Sequence, residues 1–207
     1  RLGVIAVLFV GSALFWAAFE QAGSSFNLFA KNNTDNLLLG FAFPASWFQS
    51  LNAGFIICFA AVFAWIWIRL GTRQPSSVMK FALAMLCGAL GFAVMIGAAQ
   101  TAGATGRVSP LWLVATYLLH TGGELLLSPV GLSAMTRLAP ARVGGLMMGV
   151  WFLSLSMGNY IAGRLAAFYG NLPPYDLFQT LGIITLVSAV VLALVARPVS
   201  RMMRDVQ

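Results

Sequence analysis

Hydrophobic residues along the chain fall into six long runs, at approximately 3–30, 45–70, 77–101, 110–139, 143–169 and 177–197. Each approaches or exceeds the roughly 20 residues a helix needs to cross about 30 Å of hydrocarbon. Lipid offers the backbone no hydrogen-bond partners, so a chain crossing it must satisfy its amides internally, and runs of this length predict six helices. The segments between them, 31–44, 71–76, 102–109, 140–142 and 170–176, are short and rich in turn-forming residues. No segment is large enough for a soluble domain, so the pattern is that of an all-α membrane protein with six transmembrane helices.

Composition agrees and adds an orientation. Of 207 residues, 60% are hydrophobic and 8% are charged, which leaves too few polar side chains to cover a water-facing fold. A net charge of +7 could suggest nucleic acid in a soluble domain. Here the basic residues gather at the ends of apolar runs and read as membrane topology instead. Arg1, Arg69, Arg73, Lys80, Arg137, Arg142, Arg197, Arg201 and Arg204 lie toward one side, and Lys31 and Arg107 toward the other. By the positive-inside rule both ends are cytoplasmic, in a plasma membrane or, in a bacterium, the inner membrane. The chain opens at Arg1 and its first run leads into further runs rather than a cleavage site, so it reads as a segment of a longer protein and not as a signal peptide.

Catalytic chemistry has little to stand on. HExxH, GxSxG, P-loop and dinucleotide-binding signatures are missing, and His120 and Glu124 lack a second histidine for zinc. Cys58 and Cys87 lie in apolar stretches with no metal or disulfide spacing. The expectation is a protein that is not an enzyme, with no cofactor and no metal.

An ionisable residue inside a spanning helix costs about 2.5–3.5 kcal/mol on insertion scales and is a functional candidate by default. Those here are Glu20 in the first run, His120 and Glu124 in the fourth, and Arg164 in the fifth. His120, Glu124 and Ser128 share a helix face, with Glu124 close to the middle of its run. Pro129 cannot donate to the carbonyl of Leu125, so a kink is expected beside Glu124 and Ser128. A carboxylate there suits a transporter site better than simple packing. His120 is either a bundle histidine or a proton relay. Trp16, Phe19, Glu20 and Gly23 also form one stripe, and Glu20 must turn away from lipid, so the aromatics beside it turn inward too. Gln49 and Asn52 are either helix-to-helix glue or substrate ligands, and Gly145 and Gly149 form a GxxxG spacing that permits close helix approach. Trp151, Ser154, Ser156 and Asn159 suggest a cavity-facing part of the fifth helix. Arg164 can snorkel, pair with an acid or gate.

At this point the residues resemble a known family. The stretch from Phe15 to Ser25, reading FWAAFEQAGSS, is similar to the seventh transmembrane helix of the proton-coupled oligopeptide transporters, the POT or PTR family of the major facilitator superfamily. The stretch from Gly123 to Ser133, GELLLSPVGLS, resembles the tenth helix; Gln49 to Asn52 resembles the eighth; Met147 to Phe152 resembles the eleventh. Four motifs in order imply the C-terminal half of a twelve-helix major facilitator fold, its six helices forming two sets of three as nested inverted repeats would. The N-terminal half is expected to be absent from this chain.

The resemblance implies proton-coupled symport of di- and tripeptides by alternating access. Glu124 would receive the peptide's amino terminus with Ser128 nearby, Asn52 would contact the peptide, and Trp16, Phe19 and Trp151 would line the cavity. Glu20 would serve proton coupling and an outer gate. The implied partners are peptides, protons, the lipid bilayer and the other six-helix half, with no nucleic acid. Alternatives are a relative carrying an amino acid, nitrate or a peptide-like drug, and a channel or non-transporting scaffold in which these residues only pack helices.

Overall fold

The computed structural model describes residues 2–38, 40–138 and 144–204. Arg1 and Arg142 of the basic set, and the junction of the fourth and fifth runs, lie outside the described residues. The chain is helical almost throughout: α1 Leu2–Phe19, α2 Ser25–Asn33, α3 Phe48–Leu70, α4 Ser77–Thr105, α5 Leu111–Leu138, α6 Gly144–Ala166 and α7 Pro174–Arg204. A small antiparallel hairpin, β1 Leu37–Leu38 and β2 Phe41–Ala42, lies in the 31–44 connection, where turn-rich sequence had pointed only to a loop.

Five of the six apolar runs give helices long and apolar enough to cross a membrane, counting the first run as one span from Gly3 to Asn33. The exception is α5. At 28 residues it has the length, but His120, Thr121, Gly122, Gly123, Glu124 and Ser128 dilute its apolar character. Its face toward neighbouring helices makes it tolerable in a bilayer, because polar groups there are shielded from lipid by protein.

Local chemistry sets the ends. At the start of α4 the Ser76 hydroxyl accepts from the Met79 amide at 3.3 Å, the usual N-cap arrangement. Gly106 then closes the same helix at φ 84°, a backbone conformation that glycine adopts without steric cost. Between α3 and α4 a buried charge is handled within the turn. Lys80 Nζ donates to Gln74 Oε1 at 2.8 Å and sits 3.9 Å over the Trp67 ring, while Gln74 Nε2 donates to the Trp67 carbonyl at 2.7 Å. Cation–π attraction and a hydrogen bond offset the desolvation of the ammonium.

Helix α4 is the spine, packing most extensively against α7 and α5, while α6 pairs with α1. Buried side chains form two clusters. One holds Leu8, Phe15, Phe81, Met85, Leu127, Met135 and Trp151; the other holds Phe26, Phe29, Phe92, Met95, Leu113 and Phe178. The second cluster lies toward the end where Thr34 bridges Val108 and the Tyr169 hydroxyl approaches Asn33 Oδ1 at 3.5 Å. Helix α3 packs on α5 alone among the long helices with more than marginal contact, and its apolar stretch is otherwise uncovered within this chain.

Small residues decide how closely the helices meet. At Gly158 an added Cβ would stand 2.5 Å from Trp16 Cβ and 2.8 Å from the Ala13 carbonyl, so α6 meets α1 almost backbone to backbone. Gly145 and Gly149 have nothing within 4 Å, so the GxxxG pair is not a close contact inside this chain. Gly158→Ala is therefore expected to destabilise the full-length protein by about 1–3 kcal/mol through overpacking. A thermal melt in detergent checks this, with Gly103→Ala on α4, where nothing lies within 4 Å, leaving the midpoint unchanged or slightly raised.

Candidate functional site

The site is assembled on α5. Tyr117, Thr121, Glu124 and Ser128 recur at spacings of four, three and four, so they share one face. Asn52 on α3 reaches across to that face, its Nδ2 donating to Glu124 Oε2 at 2.8 Å and to Thr121 Oγ1 at 3.1 Å. The Thr121 hydroxyl is oriented in turn, donating to the Tyr117 carbonyl at 2.7 Å. One oxygen of Glu124 is thus fixed by a neutral amide, and Glu124 itself is half-buried. Ser128, one turn on, has its hydroxyl buried without a hydrogen-bond partner. Helical structure continues through Pro129.

Opposite α5 lies the first run. The expected single helix over 3–30 is divided: α1 ends at Phe19, residues Glu20–Gly23 form a 3-10 turn, and Ser24 takes φ −124° and ψ −93° before α2 begins. Gly23, Ser24 and Ser25 are weak helix formers, and hydroxyl or amide side chains here compete for the backbone. Gln21 Nε2 donates to the Ala17 carbonyl at 3.2 Å, Ser24 Oγ to the Glu20 carbonyl at 3.2 Å, and the Ser24 amide to the Gln21 carbonyl at 3.2 Å. From α5, the Tyr117 hydroxyl donates to the Ala22 carbonyl at 2.9 Å. Non-helical backbone at membrane depth is tolerated only where its polar groups are satisfied in this way. Glu20 therefore stands at the first residue of a helix break and is half-buried.

Aromatic rings line the α1 side. Phe15, Trp16 and Phe19 pack with centroids 5.2–5.8 Å apart, and Phe19 lies 6.1 Å from the His120 ring. Trp16 Nε1 is buried and has no hydrogen-bond partner. Asn52, Glu124 and Ser128 thus come together on α5 and α3, with Phe19 reaching the His120 ring and Tyr117 tying α5 to the turn that begins at Glu20.

Trp151 is set differently. It is 4% exposed, its ring edge-on to Phe81 at 6.3 Å and directly over Gly131, where an added Cβ would collide with the indole. Within this chain it wedges α6 against α5 just beyond Pro129. His120 is buried among Phe19, Phe26 and Phe92 and faces Gly91. Its Nε2 is buried and has no hydrogen-bond partner. Ser154 bridges α6 to α1 through Ser12 Oγ at 2.7 Å, whereas Ser156, Asn159, Gln49 and Arg164 are exposed on this chain.

Three residues of this arrangement were not singled out from sequence as contributors: Tyr117, Thr121 and the structural role of Gln21. Tyr117 and Thr121 lie at spacings of seven and three before Glu124, so the stripe that identified Ser128 also contained them. Gln21 is fully buried, accepting from Ser25 Oγ at 2.6 Å and donating to the Ala162 carbonyl of α6 at 3.4 Å. No spacing rule marks a glutamine that braces a helix break.

The sequence matches the POT family over residues 1–184. A peptide transporter of Yersinia enterocolitica subsp. palearctica is 48% identical over 216 residues, which cover 100% of this chain and 42% of the relative. A di-/tripeptide transporter of Lactococcus lactis subsp. cremoris is 34% identical over 204 residues, covering 97% of the chain and 41% of the relative. The crystal structure of a peptide transporter POT in complex with sulfate is similar at a TM-score of 0.90 and 41% identity, over 97% of this chain and 41% of that one. The chain spans about two fifths of the length of the proteins it matches.

Proposed function

The chain belongs to the POT family, and from that membership and the geometry above we propose that the full-length protein containing it carries di- and tripeptides across a membrane, driven by protons. In this reading residues 1–207 are the C-terminal six-helix half, and a second six-helix half closes the cavity over α5 and the α1 break. The uncovered flank of α3 and the half-exposed Glu20 and Glu124 suit such a partner. Both ends of the segment face the cytoplasm, in a plasma membrane or, in a bacterium, the inner membrane.

The observation that carries the reading is an anchored carboxylate beside unpaired polar atoms. Asn52 holds Glu124 in place, and Ser128 Oγ one turn on is buried without a partner, as is Trp16 Nε1 on α1. A buried polar group left unpaired costs about 1–3 kcal/mol, so a purely packing arrangement would have little reason to keep unpaired groups such as Ser128, one turn from an acid. A peptide supplies what they lack: an ammonium for Glu124, and carbonyl oxygens for the hydroxyl and the indole N–H. The aromatic faces of Trp16 and Phe19 would flank the peptide, and Trp151 would act by setting the position of α6 against α5.

Glu20 is the proton-linked group in this reading. Its position at a helix break means that charging or neutralising it acts on a 3-10 turn rather than on a continuous helix. Loss of its charge on protonation would release a basic partner on the other half and shift the balance between outward-closed and outward-open states.

Counterflow separates a carrier from a channel or scaffold. Proteoliposomes containing the full-length protein and loaded with unlabelled dipeptide are expected to take up external labelled dipeptide faster than empty ones. Equal rates from loaded and empty vesicles would place the protein outside the carrier class.

A further inference from the structure

From Glu124 to the turn that begins at Glu20 runs a line of hydrogen bonds, and two of its members, Thr121 and Tyr117, are not used by the peptide and proton roles. Glu124 Oε2 accepts from Asn52, whose same Nδ2 also donates to Thr121 Oγ1; the Thr121 hydroxyl donates to the carbonyl of Tyr117; and the Tyr117 hydroxyl donates to the carbonyl of Ala22. Ala22 lies in the 3-10 turn that begins at Glu20. Tyr117 is 4% exposed and its ring stacks on Phe48 of α3 at 6.5 Å, so the phenol is held by packing and aimed at the break. The bond it makes ties the Glu124 helix to the Ala22 carbonyl within the break, and Gln21 Nε2 braces the break to the Ala162 carbonyl of α6.

We infer that Tyr117 and Thr121 are positioning residues that couple the occupancy of Glu124 to the geometry of the break at Glu20. A peptide ammonium arriving at Glu124 competes with Asn52 for the carboxylate. A shift of Asn52 changes the hydrogen bond to Thr121, and Thr121 is bonded to the backbone of the residue whose phenol holds Ala22. In the other direction, a change at Glu20 that closes or opens the 3-10 turn moves the Ala22 carbonyl and loads the Tyr117 bond. Coupling between two sites needs an element whose state both of them bias, and the break is that element. This rests on the proposed roles of Glu20 and Glu124.

Tyr117→Phe removes one hydroxyl and keeps the ring against Phe48. The informative quantity is the plateau of labelled dipeptide accumulated by proteoliposomes under a fixed inward proton gradient, because a plateau reports coupling and is independent of how fast the carrier turns over. Counterflow without a gradient is measured on the same preparations. For Tyr117→Phe the plateau is expected to fall about fivefold or more, the lower end of ordinary coupling energies, with counterflow within about twofold of wild type. Thr121→Val should behave the same way, and Thr121→Ser, which keeps the hydroxyl, should restore the plateau.

An unchanged plateau in Tyr117→Phe overturns the inference, and so does a loss of plateau and counterflow in step, which is what a packing role gives. Should Tyr117→Phe be unstable in detergent, the Thr121→Val and Thr121→Ser pair decides by the same criteria. A wild-type protein that shows counterflow but no proton-driven accumulation removes the role of Glu20 itself, and the inference with it. That result is distinct from wild-type accumulation with an indifferent Tyr117→Phe, which removes the inference alone.

Discussion

Replacing Glu124 by glutamine in the full-length protein should weaken dipeptides with a free amino terminus by about 1.5–3 kcal/mol, roughly tenfold to a hundredfold, because a charge-assisted bond becomes a neutral one. The side chain keeps its shape, and Asn52 Nδ2, now 2.8 Å from Oε2, can still donate to the amide oxygen. Packing is therefore preserved and the loss reports charge. N-acetylated dipeptides bring no ammonium, so their binding should change much less. Competition against a labelled dipeptide, with both ligand classes on wild type and Glu124→Gln, reads the difference. An equal loss for both classes would assign Glu124 to packing between α5 and α3.

For Glu20→Gln the expected effect is on coupling rather than binding. Glutamine imitates the protonated carboxyl permanently, so the gate no longer responds to protons while the peptide contacts on α5 are intact. Gradient-driven accumulation should disappear and peptide counterflow should persist, both measured in proteoliposomes. Full proton-driven accumulation by this variant would take Glu20 out of the mechanism. In the proposed division of labour, the two carboxylates differ in what holds each one: Asn52 donates to Glu124 on a continuous helix, whereas Glu20 begins a break.

Hydrophobic run length was enough to lay out the helices, since a membrane admits few other backbone solutions. The spacing of Glu124, Ser128 and Glu20 was enough to find the polar side of α5 and of the first run. Other features depend on contacts between distant parts of the chain. The break at Glu20–Gly23 lies within sequence whose apolar character continues on both sides, and it exists because Gln21, Ser24 and a tyrosine 95 positions away satisfy the freed carbonyls. The GxxxG pair at Gly145 and Gly149 pointed to close packing by spacing, yet the close approaches in this chain are at Gly158, Gly91, Gly123 and Gly131, each decided by the partner side chain or backbone it meets. Trp151 shared a polar-looking helix with Ser154 and Asn159, but an indole fits over Gly131 only once α5 and α6 are docked. The polar residues of α5, His120, Thr121, Glu124 and Ser128, lower its hydropathy, and α5 is not among the helices that meet the length-and-hydropathy measure of a span.

The central claim is that the full-length protein couples peptide movement to protons. It is tested most directly by reconstituting wild-type protein in liposomes, imposing an inward proton gradient and following a labelled dipeptide. Accumulation above the external concentration, abolished when a protonophore collapses the gradient, is the predicted result; equilibration to the external concentration whether or not the gradient is present would contradict it.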